Sequence, residues 1–168
     1  KLDQMSVTGA HQGVIAMVAA HSYATLDAIL ELAEKRGEAP LVVVCDELSD
    51  PHNLGAIVRT AECAGAHGVV IPKRRSVGLT AVVGKASAGA LEYLPVARVA
   101  NLSAALQELK KRRLWIYGTA ADGDTSLCRA DLRGPAAIVI GSEGEGMGRL
   151  VAEQCDFKVS IPMKGRIS

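Results

Sequence analysis

LVVVCDELSDPHNLGAIVRTAECAGAHGVVIP, residues 41–72, decides the fold. It opens on a β-branched run, LVVVC (41–45), crosses a turn-rich loop, DELSDPHN (46–53), and ends on a second apolar run, GVVI (68–71). Such runs fit buried strands. Between them Leu54, Ile57, Val58 and Ala61 recur at the spacing of one helix face, just after Pro51, a residue suited to a first helical turn. Strand, helix and strand in this order make a βαβ unit, which implies parallel strands.

The same alternation continues outward. VIAMVA (14–19), LPVARV (94–99), LWIYG (114–118), AAIVIG (136–141) and FKVSI (157–161) read as further strands. Leu26, Ile29, Leu30 and Ala33 follow a Thr25 cap, and Leu102, Leu106 and Leu109 flank a Ser103 cap. The expected fold class is α/β, a mostly parallel sheet with helices on both faces. Ligands of such sheets bind beyond the carboxyl ends of the strands. Three loops lie there: DELSDPHN, GTAADGD (118–124) and GSEGEGMG (141–148).

At 168 residues, 49% hydrophobic and 22% charged, the chain suits one globular domain. A net charge of +1 gives no strong overall field, so any attraction for nucleic acid must be local. The weakly charged stretch 13–30 is interrupted by His21, Ser22, Tyr23 and Asp27 and cannot supply the roughly 20 apolar residues of a membrane span. No secretory signal is expected. Cys45, Cys63, Cys128 and Cys155 form no Cys-x-x-Cys pair and lie mostly in apolar stretches, so a reduced, cytoplasmic protein with buried thiols is expected. The histidines lack zinc-ligand spacing, and no metal is expected.

GSEGEGMG follows a strand and precedes a helix, yet its glycines do not fit Gly-x-Gly-x-x-Gly. Glu143 and Glu145 would meet a pyrophosphate with like charge. A ligand with little negative charge or some positive charge suits the loop better, and S-adenosylmethionine, a sulfonium without phosphate, is one. The alternative is a tight strand-to-helix turn with exposed glutamates.

Three segments in order resemble the SpoU branch of the SPOUT methyltransferases, which methylate ribose 2'-oxygens in RNA. DPHNLGAIVRTAECAG (50–65) is similar to the first motif, VIGSEGEGM (139–147) to the second, and IPMKGRIS (161–168) to the start of the third. HQGVIA (11–16) and ASAGALEYLPVARVANL (86–102) most resemble the branch acting on guanosines of 23S large-subunit ribosomal RNA. The resemblance implies a C-terminal trefoil knot, a homodimer, S-adenosyl-L-methionine as cofactor and RNA as substrate. It also implies that residues 1–13 are a linker-like lead-in from an N-terminal RNA-binding domain, and that 14–168 form the catalytic domain with a truncated third motif.

By position in these motifs, the resemblance implies catalytic roles for Asn53, Arg59 and Glu143. It implies a cofactor pocket lined by Gly141, Gly144, Ile161 and Met163, with Thr119, Ala120 and Ala121 as the other wall. An arginine is effectively always protonated, so Arg59 reads as a fixed cation that favours the ribose alkoxide more readily than as a base. Asn53 reads equally as its orienting partner or as a helix cap. Glu143 reads as an organiser of Arg59 or RNA, because a carboxylate against the sulfonium would favour the ground state. Lys73, Arg74 and Arg75 follow a strand on the ligand side and are candidate RNA contacts, or simply a solvated loop. Lys110 to Arg113 read as complementing a helix C-terminus.

Overall fold

The computed structural model of the protein describes residues 21–165. Helix α1 (Leu26–Arg36) begins at the expected cap, where the Thr25 hydroxyl accepts from the Ala28 amide, and closes on Gly37 at φ 67°. Strand β1 (Leu41–Cys45), α2 (Pro51–Cys63) and β2 (Gly68–Pro72) then form the expected unit, with Val43 opposite Val69 in a parallel pair. The chain continues through α3 (Ala81–Ala86), β3 (Val96–Val99), α4 (Leu102–Lys111), β4 (Trp115–Thr119) and β5 (Thr125–Ser126). It then runs through β6 (Ala136–Ile140), α5 (Arg149–Ala152) and β7 (Phe157–Ser160).

The strands form one parallel sheet in the order β3-β2-β1-β6-β4-β7-β5. Strand β6 enters between β1 and β4, with Cys45 opposite Ile140 and Gly118 opposite Val139. Alternation along each strand divides the core. Val42, Val44, Val70, Ala137 and Val139 face Ile29 of α1 and Leu102, Leu106 and Leu109 of α4. On the other side Val43, Cys45, Val69, Ile71 and Val96 face Leu54, Val58 and Ala61 of α2 and Val83 of α3. Helices therefore cover both faces, as the sequence pattern implies. Among the described residues no helix is long and apolar enough to cross a membrane.

Several expectations change. Asn101, not Ser103, caps α4: its extended backbone and side-chain oxygen, which accepts from the Ala104 amide at 3.0 Å, meet the cap's requirements. Ser103 lies inside the first turn and donates to the Leu150 carbonyl instead. Cys45 is buried, which pushes its thiol up to about 12, but Cys63 at the C-terminal end of α2 and Cys128 in the loop after β5 are exposed. β5 was not expected, since two residues in a polar loop carry no periodicity. The strand predicted at 14–19 and the lead-in at 1–13 lie outside the described residues. So do residues 166–168, the end of the third motif on which the expected knot depends. Lys110 and Lys111 do occupy the last turn of α4, where Lys110 pairs with Asp156 at 2.7 Å.

Helices α2 and α3 cross closely at Gly55, where an added Cβ would stand 2.4 Å from the Ala86 Cβ and 2.9 Å from the Val83 carbonyl oxygen. Gly55→Ala should therefore overpack this crossing and cost about 1–3 kcal/mol, despite the better helix propensity of alanine. A urea melt of the variant checks this through a lowered midpoint.

Candidate active site at the strand ends

The first motif begins where β1 delivers the chain to α2. Pro51 fills the first helical position and the Asp50 carboxylate caps the helix, accepting from the His52 amide at 2.7 Å. Asp50 thus takes the capping role, and Asn53, one turn in, is left to reach elsewhere. Its side-chain amide donates to Glu143 of the second motif, 90 residues later in the chain. The pair forms because β6 lies beside β1, so the loops leaving both strands meet.

The loop carrying Glu143 is a tight hairpin. The Ser142 amide donates to the Gly146 carbonyl at 2.9 Å, and the Gly146 amide returns to the Ser142 carbonyl at 3.1 Å. A Cβ on Gly141 would fall 2.2 Å from the Gly146 carbonyl carbon, so the turn closes only on glycine. A second tie holds the other end of the hairpin: Asp46, directly after β1, accepts from the Gly148 amide at 2.8 Å. Asp46 is 5% exposed. Burial raises its pKa above the ordinary 3.8, partly offset by the Gly148 hydrogen bond and reinforced by Glu47. Asp46 was not singled out in the sequence; the available signal was a carboxylate placed directly after an all-apolar strand.

The expected cofactor residues gather at three neighbouring strand ends. Gly141 follows β6, Thr119 and Ala120 end β4, and Ile161 and Met163 follow β7. The Thr119 hydroxyl donates to the Val139 carbonyl at 2.9 Å, and the Ala120 amide donates to the Val159 carbonyl at 2.9 Å, which binds the three exits together. Ile161 and Met163 are largely exposed at 59% and 62%, leaving apolar side chains uncovered beside the glycine hairpin. Gly144 sits at the open tip, where an added Cβ would meet nothing within 4 Å. Among the described residues no group of three or more His, Cys, Asp and Glu side chains could hold a metal ion.

Arg59 is not drawn into the Asn53–Glu143 pair. It is exposed on α2, six residues beyond Asn53, and among the described residues it forms no ion pair. Six residues carry it about 9 Å along the helix axis and roughly 120° around it. Lys73, Arg74 and Arg75 are exposed in the loop after β2, as their position in the sequence implies. That loop is pinned: the Lys73 amide donates to the Val99 carbonyl at 2.8 Å, Arg98 donates to the Lys73 carbonyl at 3.0 Å, and Arg75 pairs with Glu47 at 3.3 Å.

Open parallel α/β sheets bind ligands in the crevice beyond the carboxyl ends of their strands, where this amide–carboxylate pair and glycine hairpin lie. The chain belongs to the SpoU rRNA methylase family, whose sequence profile matches residues 40–168. It is 56% identical over 168 residues to the Bacillus subtilis protein YacO, which is assigned to the TrmH family of tRNA/rRNA methyltransferases. The match covers all of this chain and 67% of YacO. An uncharacterized tRNA/rRNA methyltransferase of Synechocystis, slr0955, is 49% identical over 99% of this chain and 43% of its own length. Among solved structures, the SpoU methyltransferase AviRb from Streptomyces viridochromogenes in complex with AdoMet superposes with a TM-score of 0.72 at 30% identity. That match covers 77% of this chain and 51% of AviRb. An RNA 2'-O ribose methyltransferase matches with a TM-score of 0.69 at 31% identity, over 77% of this chain and 49% of its own.

The raised pKa of Asp46 has a measurable sign. Stability linked to its protonated form is fully present below 3.8 and is lost as pH rises through the higher folded-state value. Asp46→Asn keeps an oxygen for the Gly148 amide and removes the titration. Wild-type stability minus that of Asp46→Asn should therefore decline from acid pH to neutrality, as measured by urea melts across pH.

Proposed function

We propose that this domain transfers a methyl group from S-adenosyl-L-methionine to a ribose 2'-oxygen of RNA, on a guanosine of 23S ribosomal RNA. The observation that carries the reading is the Asn53–Glu143 hydrogen bond, which joins the first and second family motifs at the carboxyl ends of adjacent strands. The solved relative that binds AdoMet and the one described as a 2'-O ribose methyltransferase support the cofactor and the reaction. The 86–102 segment, which resembles the large-subunit branch, supports the ribosomal substrate. In this reading the protein works as a homodimer, and residues 1–13 lead in from an N-terminal RNA-binding domain.

The residues present fit the cofactor. Backbone groups at Gly141 and Gly144 offer donors and acceptors for an adenine, Thr119 and Ala120 form the facing wall, and Ile161 and Met163 offer apolar cover. Glu143 and Glu145 bring negative charge, which suits a sulfonium and not a pyrophosphate. Bound there, the cofactor supplies an electrophilic methyl group.

The chain's own residues do the remaining work. Asn53, held by Glu143, presents a fixed polar group at the mouth of α2 and orients the incoming ribose. Arg59 binds the substrate as a cation, placing the 2'-hydroxyl and stabilising the negative charge that grows on its oxygen. A permanently protonated guanidinium accepts no proton at neutral pH, so deprotonation passes to solvent or another group. Lys73, Arg74 and Arg75 neutralise RNA phosphates.

Full-length protein given unmodified ribosomal RNA and methyl-labelled cofactor should place label in a nuclease-resistant dinucleotide. Label found only in bases would overturn the ribose assignment, and label found only in transfer RNA would overturn the ribosomal one. Arg59→Ala should lower turnover by about 100-fold or more with little change in cofactor affinity, read from single-turnover rates and calorimetry. Glu143→Gln retains an oxygen to accept from Asn53 but removes the charge, so it should reduce turnover less than Asn53→Ala in the same assay.

A further inference from the structure

On the α4 and α5 side of the sheet's carboxyl edge, a cavity of about 350 Å³ lies beside the strand-end cluster. Arg74 and Arg75 wall it from the loop after β2, Arg149 and Leu150 from the start of α5, and Asn101 and Ser103 from the start of α4. None of the cofactor residues described above borders it. Its volume lies within the range of small-ligand sites, roughly 300–1,000 Å³.

The charges select the ligand. Three guanidiniums face two carboxylates, Asp46 and Glu47. Asp46 is already bonded to the Gly148 amide, and its burial disfavours the charged form. Arg75 and Arg149 pair with Glu47 and Glu153 at exposed positions, where such pairs are weak and readily exchanged. Arg74 has no ion-pair partner among the described residues. This balance repels a sulfonium and attracts phosphate, whose oxygens match the guanidinium fork. Leu102 and Leu150 add apolar wall against which a base or ribose can rest.

Placement then decides between a free nucleotide and RNA. The cavity shares the 141–148 loop with Glu143: Asp46, on its wall, holds the end of the hairpin whose other part binds Asn53. Asn53 belongs to α2, which covers the opposite sheet face from α4. A strand whose target ribose sits at Asn53 can cross the end of β1 and set another nucleotide in this cavity. The basic wall is prepared for it, because the Lys73 backbone is held by Val99 and Arg98 and the Val77 amide by the Leu48 carbonyl at 2.8 Å.

We propose that the cavity between Arg74, Arg75 and Arg149 is a subsite for a phosphate-bearing nucleotide of the RNA substrate other than the one methylated. The proposal rests on the RNA methyltransferase reading and adds a path for the RNA across the sheet edge. Its test measures binding of a fluorescein-labelled RNA fragment spanning the methylated nucleotide to full-length protein, over a range of salt. Arg149→Ala and Arg74→Ala should each weaken RNA binding roughly tenfold. Each should also lower the salt slope by about one while leaving cofactor affinity and melting temperature unchanged. Lys35→Ala, at the opposite end of the sheet, is the control and should change neither affinity nor slope. A photo-cross-linker at position 150 should label a nucleotide other than the methylated one.

Wild type that methylates RNA while both arginine variants bind it as tightly as wild type would overturn the subsite alone. Losses no larger than that of Lys35→Ala would do the same, as would a nucleoside 5'-monophosphate binding as tightly as the RNA fragment. Wild type that neither binds nor methylates RNA would overturn the subsite and the reaction together.

Discussion

The parallel pairing of β6 with β1 is the constraint on which the rest of the molecule depends. Five residue pairs, from Leu41 opposite Ala136 to Cys45 opposite Ile140, set the two strands in register. A register fixed by two buried faces leaves no freedom at the strand ends. The loops after β1 and β6 must therefore meet, and two side-chain ties form between them, Asn53 with Glu143 and Asp46 with Gly148. One places a polar pair at the mouth of α2. The other fixes the far end of a hairpin that glycine alone can close.

This arrangement brings loops of different character together along the carboxyl edge. Over β6, β4 and β7 the loops offer backbone groups, exposed Ile161 and Met163, and the acidic hairpin. Over β1 and β2 they offer Asp46, Glu47 and Asp50 together with Lys73, Arg74 and Arg75, joined by Arg149 from α5. A net charge of +1 conceals that acidic and basic loops lie side by side at this edge. This adjacency follows from strand order: β6 enters beside β1, so its hairpin meets the loop after β1 through Asp46.

Much of this was legible in the chain, for identifiable reasons. The β-branched runs and the helix-spaced Leu54, Val58 and Ala61 report burial directly, because burial is what those periodicities encode. Thr25 and Pro51 mark helix starts through local geometry. Asn101 was missed as a cap because Ser103 is also a capping residue, and only backbone conformation separates them. The motifs located Asn53 and Glu143 as site candidates, and the choice between cap and site contact for Asn53 waited on Asp50 taking the cap.

The sequence by itself determined strands β1 to β4, β6 and β7, helices α1, α2 and α4, and that the sheet is parallel. Those properties are local: side-chain periodicity, turn residues and the minimum length of a crossover. Only the tertiary structure decided which loops are neighbours, because strand order depends on how whole faces pack and leaves no periodic trace. Asp46, Asn101 and Arg149 are unremarkable in sequence and come together only because β6 lies beside β1 and α4 and α5 share a sheet face.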